Sequence, residues 1–328
     1  MIDHELRAIG TVARGLGVRI APSRLLNAAR HQAAFYGSQF TLLTGPWQPA
    51  PHRLATAYFH GLPGTPGMPE FDECYRTLEG RHAELDRVQV SHSEVEAVVL
   101  ASGIDPAKVF RIPIGLEAAY FTPQTPERRR AVRGELGLPL DAFVVGSFHK
   151  DGVGWAEGDE PKLIKGPDVL LAALERLRPV VPELHVLLSG PARGFVRAGL
   201  ERLGIPYVHR RLESYEQIGH LYHALDAYLV PSRQEGGPKG VLEAMASGVP
   251  LVTTRVGQAM DIVRHGENGW MTDVEDSDAL AHWLAHVAAR PPDVQAAVAS
   301  GLETAAANTY AAQTPLWRAF FDGFVAHA

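Results

Sequence analysis

The sequence predicts an α/β protein in which two domains each contain a doubly wound parallel sheet. Three observations lead to this prediction. The 328 residues exceed the usual size of one hydrophobic core, which favours two domains. Apolar residues make up 46% of the chain and charged residues 21%, a balance that is ordinary for a globular protein with a sizeable core. Short β-branched or aromatic runs alternate with helix-like segments, which is the pattern of α/β architectures.

The predicted strands fall into two groups, one in each half of the chain. In the first half they are "FTLL" at 40–43, "ATAYFH" at 55–60, "RVQVSH" at 87–92 and "KVFRIPI" at 108–114. In the second half they are "FVVGSF" at 143–148, "LHVLLSG" at 184–190, "AYLVPS" at 227–232 and "PLVTT" at 250–254. Such near-continuous apolar runs indicate parallel strands that helices cover on both faces.

The domain boundary is predicted near residue 121, because Pro123 and Pro126 interrupt regular structure there before a helix begins. Residues 1–120 then form the first domain and 121–310 the second. The segment 311–328 is predicted as a terminal helix that returns to pack on the first domain. Its aromatic residues are spaced to form one broad apolar face: Trp317, Phe320, Phe321 and Phe324.

Charge and composition exclude several functional classes. The net charge of −6 argues against a nucleic-acid-binding protein, and the basic cluster "ERRRAVR" at 127–133 is interpreted as the solvated face of a helix. The chain contains no run of about 20 apolar residues and no secretory signal pattern, so a cytoplasmic protein is expected, with peripheral membrane contact left open. Cys74 is the only cysteine, which excludes a disulfide framework, and it is expected to be inert.

The stretch "EGGPKGVLEAMASG" at 235–248 follows the strand "AYLVPS" and is the main candidate for a binding site. The carboxyl ends of parallel strands are where ligands bind in open α/β sheets, so Glu235 is expected to point into a crevice. Gly236 and Gly237 allow close approach of a ligand to the backbone, and Pro238 suits the first turn of the helix that follows.

The start of that helix predicts a phosphate site. Backbone amides from Lys239 through Gly240 to Val241, together with the positive end of the helix dipole, favour an anion. Glu243 lies four residues beyond Lys239, about 6 Å along the axis and on roughly the same face. That is the distance from a phosphate to a ribose, and a carboxylate can accept hydrogen bonds from the ribose hydroxyls. Glu235 is then expected to hold hydroxyls of a group beyond the phosphates.

The full run "VPSRQEGGPKGVLEAMASGVPLVTTRVGQAMDIVRHGENGWM" at 230–271 resembles the signature of the retaining group 1 glycosyltransferases of the GT-B fold. The likeness extends to "FRIPIGLEAAYFTP" at 110–123 and "LIKGPDVLLAALERL" at 163–177, and covers roughly residues 85–290. It implies two facing Rossmann-like domains and a terminal helix that returns to the first. In this family the first glutamate, here Glu235, contacts the donor sugar and the second, here Glu243, binds the ribose.

The resemblance also implies the chemistry. A hexosyl group would move from a nucleotide diphosphate sugar, UDP- or GDP-linked, to a hydroxyl acceptor with retention of configuration by same-face attack. Lys165 is similar to the family's lysine on the donor pyrophosphate, although by itself it could be a solvated residue at a helix start. No metal or cofactor is expected, because helix amides and Lys165 can stabilise the phosphate charge.

Several positions depart from the family pattern or carry weaker signals. Ser147 stands where the family usually has an arginine, and Lys150 either supplies that charge or is merely exposed on a long inserted loop. The given sequence is expected to begin on a helix, in place of the family's opening strand and Gly-rich loop. His60, after a strand of the first domain, is similar to a histidine that contacts the donor sugar in relatives. Gly190 either lines the nucleotide pocket or is a turn glycine.

Other readings remain open from the sequence. "DSD" at 276–278 resembles an acidic metal motif but is interpreted as a helix cap, because it directly precedes the helix-like "ALAHWLAHV". A GT-B phosphorylase, a nucleotide-sugar hydrolase and a catalytically degenerate nucleotide-sugar binding protein are the alternatives to a transferase. A dinucleotide oxidoreductase fits the architecture but would need the glycine fingerprint GxGxxG, which "SGPARGFV" at 189–196 does not match.

Overall fold

A computed structural model describes residues 2–15, 31–45 and 52–325. The chain divides into two compact units, one formed by Met1–Gly115 with Tyr310–Ala328 and the other by Leu116–Thr309. Among the described residues, no helix has both the length and the apolar character needed to cross a membrane.

The strands and helices alternate along the chain as the sequence patterns predict. The strands are β1 Ala33–Tyr36, β2 Arg53–Tyr58, β3 Arg87–Val90, β4 Val109–Arg111, β5 Phe143–Ser147, β6 Leu184–Ser189, β7 Tyr207–Arg210, β8 Ala227–Val230, β9 Leu251–Thr254 and β10 Trp270–Thr272. The helices are α1 Ile2–Gly15, α2 Gln39–Leu43, α3 Pro69–Arg81, α4 Ser93–Ala101, α5 Pro126–Leu136, α6 Pro167–Leu177, α7 Gly194–Leu203, α8 Ile218–Tyr222, α9 Lys239–Ala246, α10 Ala259–Ile262, α11 Ser277–Ala289, α12 Pro292–Ala307 and α13 Thr314–Phe321.

Each unit contains one parallel sheet within the described residues. The first unit has the strand order β1-β2-β3-β4, and the second has β10-β9-β8-β5-β6-β7. Strand order reverses at β5, which lies between β8 and β6. A reversal of this kind opens a crevice at the carboxyl ends of the two strands, where ligands bind in such sheets. The prediction of a parallel α/β fold is confirmed.

The second unit buries its sheet between two apolar layers. Every residue of β5, β8 and β9 is buried, as expected for strands with helices on both faces. One layer contains residues such as Val144, Leu242 and Met245 of β5 and α9, and the other contains residues of α6 and α11. The carboxyl ends of the strands are therefore held on a rigid base.

The predicted strand at "FTLL" is wrong, because Gln39–Leu43 forms helix α2 after Ser38. Gln39, Leu42 and Leu43 are buried, and their spacing of three and four residues matches one face of a helix. The strand of this region is β1, a few residues earlier. Its alanines gave no strong strand signal, and the short strands β7 and β10 were also missed.

The last helix packs inside the first unit. Trp317 and Phe320 contact Phe35 of β1 with ring centroids 5.8 and 5.3 Å apart. Ile9 and Ala13 of α1 belong to the same apolar cluster. The helix ends at Phe321, and the buried Phe324 follows it after Gly323, whose φ of 68° lies in the left-handed region.

The interpretation of 127–133 as a solvated helix face is wrong for two of its arginines. Arg133 is fully buried in α5, and Arg129 is partly buried. Both donate to Asp226, which explains their burial: the carboxylate compensates charges that helix packing removes from water. A single acidic partner nearly a hundred residues away leaves no signal in the local sequence.

Two smaller predictions are confirmed. The side chain of Asp276 accepts a hydrogen bond from the Ala279 amide at 2.9 Å and caps α11, as expected of the "DSD" segment. Cys74 is fully buried, and burial raises the pKa of its thiol to about 12. A thiol in that environment stays protonated and unreactive at neutral pH.

Candidate functional site

Lys165 and Glu235 form an ion pair at the carboxyl edge of the second unit's sheet. Lys165 Nζ lies 2.6 Å from Glu235 Oε2, and the two side chains are 23% and 12% exposed. Glu235 Oε1 accepts a hydrogen bond from Ser232 Oγ at 2.9 Å. The glutamate predicted for the donor sugar and the lysine predicted for the pyrophosphate thus contact each other directly.

The backbone around this pair is fixed by hydrogen bonds between two loops. The Ile164 carbonyl accepts from the amides of Arg233 and Gln234 at 2.9 and 3.1 Å. Gly166, directly after Lys165, has a φ of 64°, and a Cβ there would lie 2.0 Å from the Pro231 carbonyl oxygen. Only glycine fits so tight an approach, so the Lys-Gly pair of the sequence has a structural reason.

Helix α9 begins beside Glu235, one residue later than expected. Pro238 is its N-cap residue, with φ of −67°, and Lys239 is the first helical residue. The amide of Val241, predicted to face a phosphate, donates to the Pro238 carbonyl at 3.0 Å and closes the first turn. The Gly236 carbonyl accepts from the Gln258 amide at 3.1 Å. Gly236, Gly237 and Lys239 are buried, and Gly240 is half-buried.

Glu243 is nearly fully buried and is held by two tyrosines. Tyr222 Oη donates to Oε2 at 2.9 Å, and Tyr215 Oη donates to Oε1. Burial raises the pKa of Glu243, while the hydrogen bond from Tyr215, the charge of Lys239 and the hydrogen bond from Tyr222 oppose that rise. Burial and the neighbouring Glu243 raise the pKa of Tyr222 well above its usual range, so this phenol stays a donor.

Lys239 and Glu243 lie close together on α9, as the four-residue spacing predicts. The charge of Lys239 acts on the Glu243 carboxyl, and Lys239 Nζ lies 5.6 Å from the centre of the Tyr215 ring. Between them, Gly240 lies against Tyr228: a Cβ at this position would be 2.5 Å from a ring carbon. Glycine therefore lets the first turn of α9 pack directly on β8.

Arg193 contacts Ser147, the residue that stands where the resemblance implied an arginine. Arg193 Nη1 donates to the carbonyl of Ser147 at 2.6 Å, and Nη2 donates to Ser147 Oγ at 3.0 Å. Arg193 Nε lies 2.9 Å from Asp151 Oδ1, and both side chains are fully buried. Burial lowers the pKa of Arg193 and raises that of Asp151. This ion pair anchors the inserted loop to the sheet.

Two of the weaker candidates, Lys150 and Gly190, lie on the same edge of the sheet. Lys150 is half-buried, and its Nζ lies 3.9 Å from the centre of the Trp155 ring, which is 80% exposed on the inserted loop. Gly190 follows β6 with φ of 93°, and its carbonyl accepts from His209 Nε2 at 2.8 Å. His149 directly precedes Lys150, and burial together with the charges of Arg193 and Lys165 lowers its pKa well below the usual range.

His60 belongs to the first unit, two residues beyond the end of β2. Its ring stacks on Phe40 with centroids 5.1 Å apart, and its backbone amide donates to Gln39 Oε1 at 2.8 Å. The structure therefore brings Lys165, Glu235, Lys239 and Glu243 into one unit and His60 into the other.

Sequence reasoning missed the residues that support the two glutamates. Ser232 lies within the quoted motif, three residues before Glu235, so its role as a local hydrogen-bond donor could have been inferred. Tyr215 and Tyr222 have no such signal, because their distance from Glu243 along the chain is 28 and 21 residues. Their contact depends on how α8 and the short turn before it, Tyr215–Gln217, are placed beside α9.

Comparisons with known proteins concern the family and the fold of the chain. The sequence profile of the family described as "Glycosyl transferases group 1" matches residues 159–290, which include Lys165, Glu235 and Glu243. The D-inositol 3-phosphate glycosyltransferase of Corynebacterium urealyticum is 30% identical over 254 residues, 73% of this chain and 56% of the relative. That of Saccharomonospora viridis is 34% identical over 237 residues, 67% of this chain and 51% of the relative. The chain spans about half the length of these relatives.

Solved structures show the fold to be GT-B. Anabaena HepE in complex with UDP superposes with a TM-score of 0.72 at 17% identity, over 96% of this chain and 82% of that one. The sucrose-phosphate synthase of Thermosynechococcus elongatus superposes with a TM-score of 0.68 at 22% identity, over 83% of this chain and 69% of that one. At these identities the likeness concerns the fold, and the predicted GT-B architecture is confirmed.

Proposed function

Because residues 159–290 form a group 1 glycosyltransferase domain, we propose that the chain transfers a hexosyl group from a UDP- or GDP-sugar to a hydroxyl acceptor with retention of configuration. The observation that carries this proposal is the Lys165–Glu235 pair at the start of α9, with Glu243 one turn further along the helix. A cation for a diphosphate and two acids for sugars then come from two parts of the chain that meet beside α9.

Binding of the donor would replace the contact between Lys165 and Glu235 by contacts of each residue with the donor. Lys165, now on Glu235, would turn to the diphosphate, and the freed carboxylate would accept hydroxyl protons of the donor sugar. A fixed cation stabilises the charge that develops on the departing nucleotide, so no metal is needed in this scheme. The pair also keeps both charges compensated until a donor arrives.

Glu243 would bind the ribose through the lone-pair positions of its carboxylate that the two tyrosines do not occupy. A carboxylate has about four lone-pair positions, of which Tyr215 and Tyr222 occupy two. Hydrogen bonds to a charged group contribute about 1.5–3 kcal/mol each, enough for a tenfold or greater effect on affinity. The two phenols hold the carboxylate in place for that purpose.

The chemical step would be same-face substitution at the anomeric carbon. The bond from this carbon to the diphosphate oxygen breaks as the bond to the acceptor oxygen forms. The proton of the acceptor hydroxyl passes to the departing phosphate oxygen, so atoms and charge balance without a protein nucleophile. Glu235 would orient the sugar and stabilise its developing positive charge.

The names of the relatives indicate which acceptors to test first. Proteins named D-inositol 3-phosphate glycosyltransferases are 30–34% identical to this chain, so inositol monophosphates belong in the first acceptor panel beside simple alcohols and sugars. UDP-glucose belongs among the donors, because a fold neighbour, HepE, has been solved with it.

The test incubates the purified chain with UDP- and GDP-sugars, with and without each acceptor, and follows nucleotide release and the product's anomeric configuration by NMR. A glycoside with the donor's configuration supports the proposal. Inversion at the anomeric carbon contradicts it. Sugar release into water alone indicates a hydrolase, and phosphate-dependent release a phosphorylase. Tight nucleotide binding without sugar release in a single turnover indicates a binding protein.

A further inference from the structure

A cavity of about 350 Å³ lies in the second unit, away from the proposed donor site. Leu225 and Asp226 on its wall precede β8, and Pro250 precedes β9, so it opens at the amino ends of these strands. Glu235 follows the carboxyl end of β8. A four-residue strand rises about 13 Å, which places the cavity and the donor site at opposite edges of the sheet.

Three arginines converge on one carboxylate at this cavity. Arg129 Nη2 and Arg290 Nη2 lie 2.7 and 3.3 Å from Asp226 Oδ1. Arg133 Nη2 lies 2.6 Å from Oδ2, which also accepts from the Val144 amide at 2.8 Å. A single aspartate therefore faces three guanidinium groups and leaves two positive charges that it does not balance.

The three arginines have different surroundings. Arg133 is fully buried, and the carbonyls of residues 139, 140 and 142 accept from its Nη1 at 2.8–3.1 Å. Its donors are thus used within the fold. Arg129 and Arg290 line the cavity, with 20% and 69% of their side chains exposed. Arg133 positions the aspartate, and the other two line the cavity, where Arg129 Nη1 also donates to the Leu225 carbonyl at 3.2 Å.

The remaining wall suits a small polar molecule with one charged end. Gln295 adds an amide group, while the Gln124 amide nitrogen already donates to the carbonyls of His223 and Leu225 at 2.7 and 2.9 Å. Val294, Val298 and Leu302 form an apolar side. Asp226 is the only acid among the described residues that line the cavity. Two excess positive charges match a dianion such as a phosphate monoester better than a single carboxylate.

The backbone at Arg290 adds a further observation. Arg290 ends α11 with φ of 53°, in the left-handed region where helices usually end on glycine. The chain places a long cationic side chain at this position, and its guanidinium reaches the same carboxylate oxygen as Arg129.

We propose that this cavity is a second ligand site, which binds the phosphate group of a small sugar phosphate between Arg129 and Arg290. The proposal does not depend on the transferase assignment, because every residue that carries it lies at the opposite edge of the sheet. The same phosphate chemistry could come from free inorganic phosphate, so the experiment uses both sources.

The experiment is calorimetric titration of the full chain with glucose 6-phosphate, inorganic phosphate and glucose at constant ionic strength. The test variant is Arg129→Gln with Arg290→Gln. The control is Arg130→Gln, which removes one positive charge from the neighbouring exposed position of α5. We expect wild type and the control to bind glucose 6-phosphate equally and not glucose, and the double variant to bind at least tenfold more weakly.

Each outcome either supports or overturns the proposed phosphate site. Equal binding of phosphate and glucose 6-phosphate, lost in the double variant, supports the site and assigns it to free phosphate. Equal affinity in all three proteins overturns the proposal, because the ligand then binds elsewhere. Absence of binding to wild type at millimolar probe also overturns it. If the double variant does not fold, Arg290→Gln alone serves, since that side chain is 69% exposed.

Discussion

Lys165 and Glu235, 70 residues apart in sequence, lie 2.6 Å apart as an ion pair in the second unit. This contact would have to break before either residue could bind a nucleotide sugar. The pair therefore links affinity for the nucleotide to the presence of the glutamate, which leads to the first prediction.

Glu235→Gln should lower turnover by at least a hundredfold while UDP binds as tightly as to wild type or up to tenfold more tightly. The neutral amide no longer competes for Lys165, so the cation is available to the diphosphate. Calorimetric titration with UDP and initial rates with the best donor measure both quantities. Glu275→Gln, which removes an acid paired with Arg233 at the surface, should change neither. Weaker UDP binding in Glu235→Gln would contradict the exchange of partners.

Glu243→Ala should weaken UDP binding at least tenfold, because it removes the carboxylate proposed to bind the ribose. Tyr215→Phe serves as a comparison: it removes one of the two phenol hydroxyls that bond to this carboxylate and should weaken UDP binding less than Glu243→Ala does, because Tyr222 still holds the carboxylate. Titration with UDP, accompanied by thermal unfolding to monitor the fold, measures the effect. Unchanged UDP affinity in a folded Glu243→Ala protein would contradict ribose binding by this carboxylate.

The stability difference between wild type and Glu243→Gln should depend on pH. Burial raises the pKa of Glu243, so its protonated form favours the folded state. That contribution is fully present below the unfolded-state pKa of about 4.3 and is lost as pH rises through the higher folded-state pKa. The free energy of unfolding of wild type relative to the variant should fall over this range in urea titrations. A difference independent of pH would show that the carboxyl titrates normally.

Arg193→Met should destabilise the second unit by about 3–5 kcal/mol, because it leaves the buried carboxylate of Asp151 without its cation. Arg197→Met is the control on the same helix. Its ion pair with Glu157 is solvent-exposed, and such pairs contribute little. Urea unfolding followed by circular dichroism compares the two. A loss for Arg193→Met no larger than that of the control would mean that Asp151 is neutral or hydrated in the folded chain.

Much of the fold could be predicted from local patterns. Buried strands such as β5, β8 and β9 come from short runs rich in apolar and β-branched residues, and α11 begins at an aspartate that caps it. The error at α2 shows the limit of this reasoning, since four apolar or β-branched residues fit a short strand and a short helix equally well. Only packing against neighbours selected the helix.

The candidate site also has one part that the sequence predicts and another that only the tertiary structure decides. The spacing of Glu235, Lys239 and Glu243 is a property of one loop and one helix, so the sequence by itself set their order along the segment that we propose as the donor site. The tertiary structure decided what each group contacts before a ligand arrives: Lys165 on Glu235, two tyrosines on Glu243, and Arg193 beside Ser147. These contacts join residues 21–70 positions apart, and their geometry depends on how helices pack on the sheet, which no local pattern records.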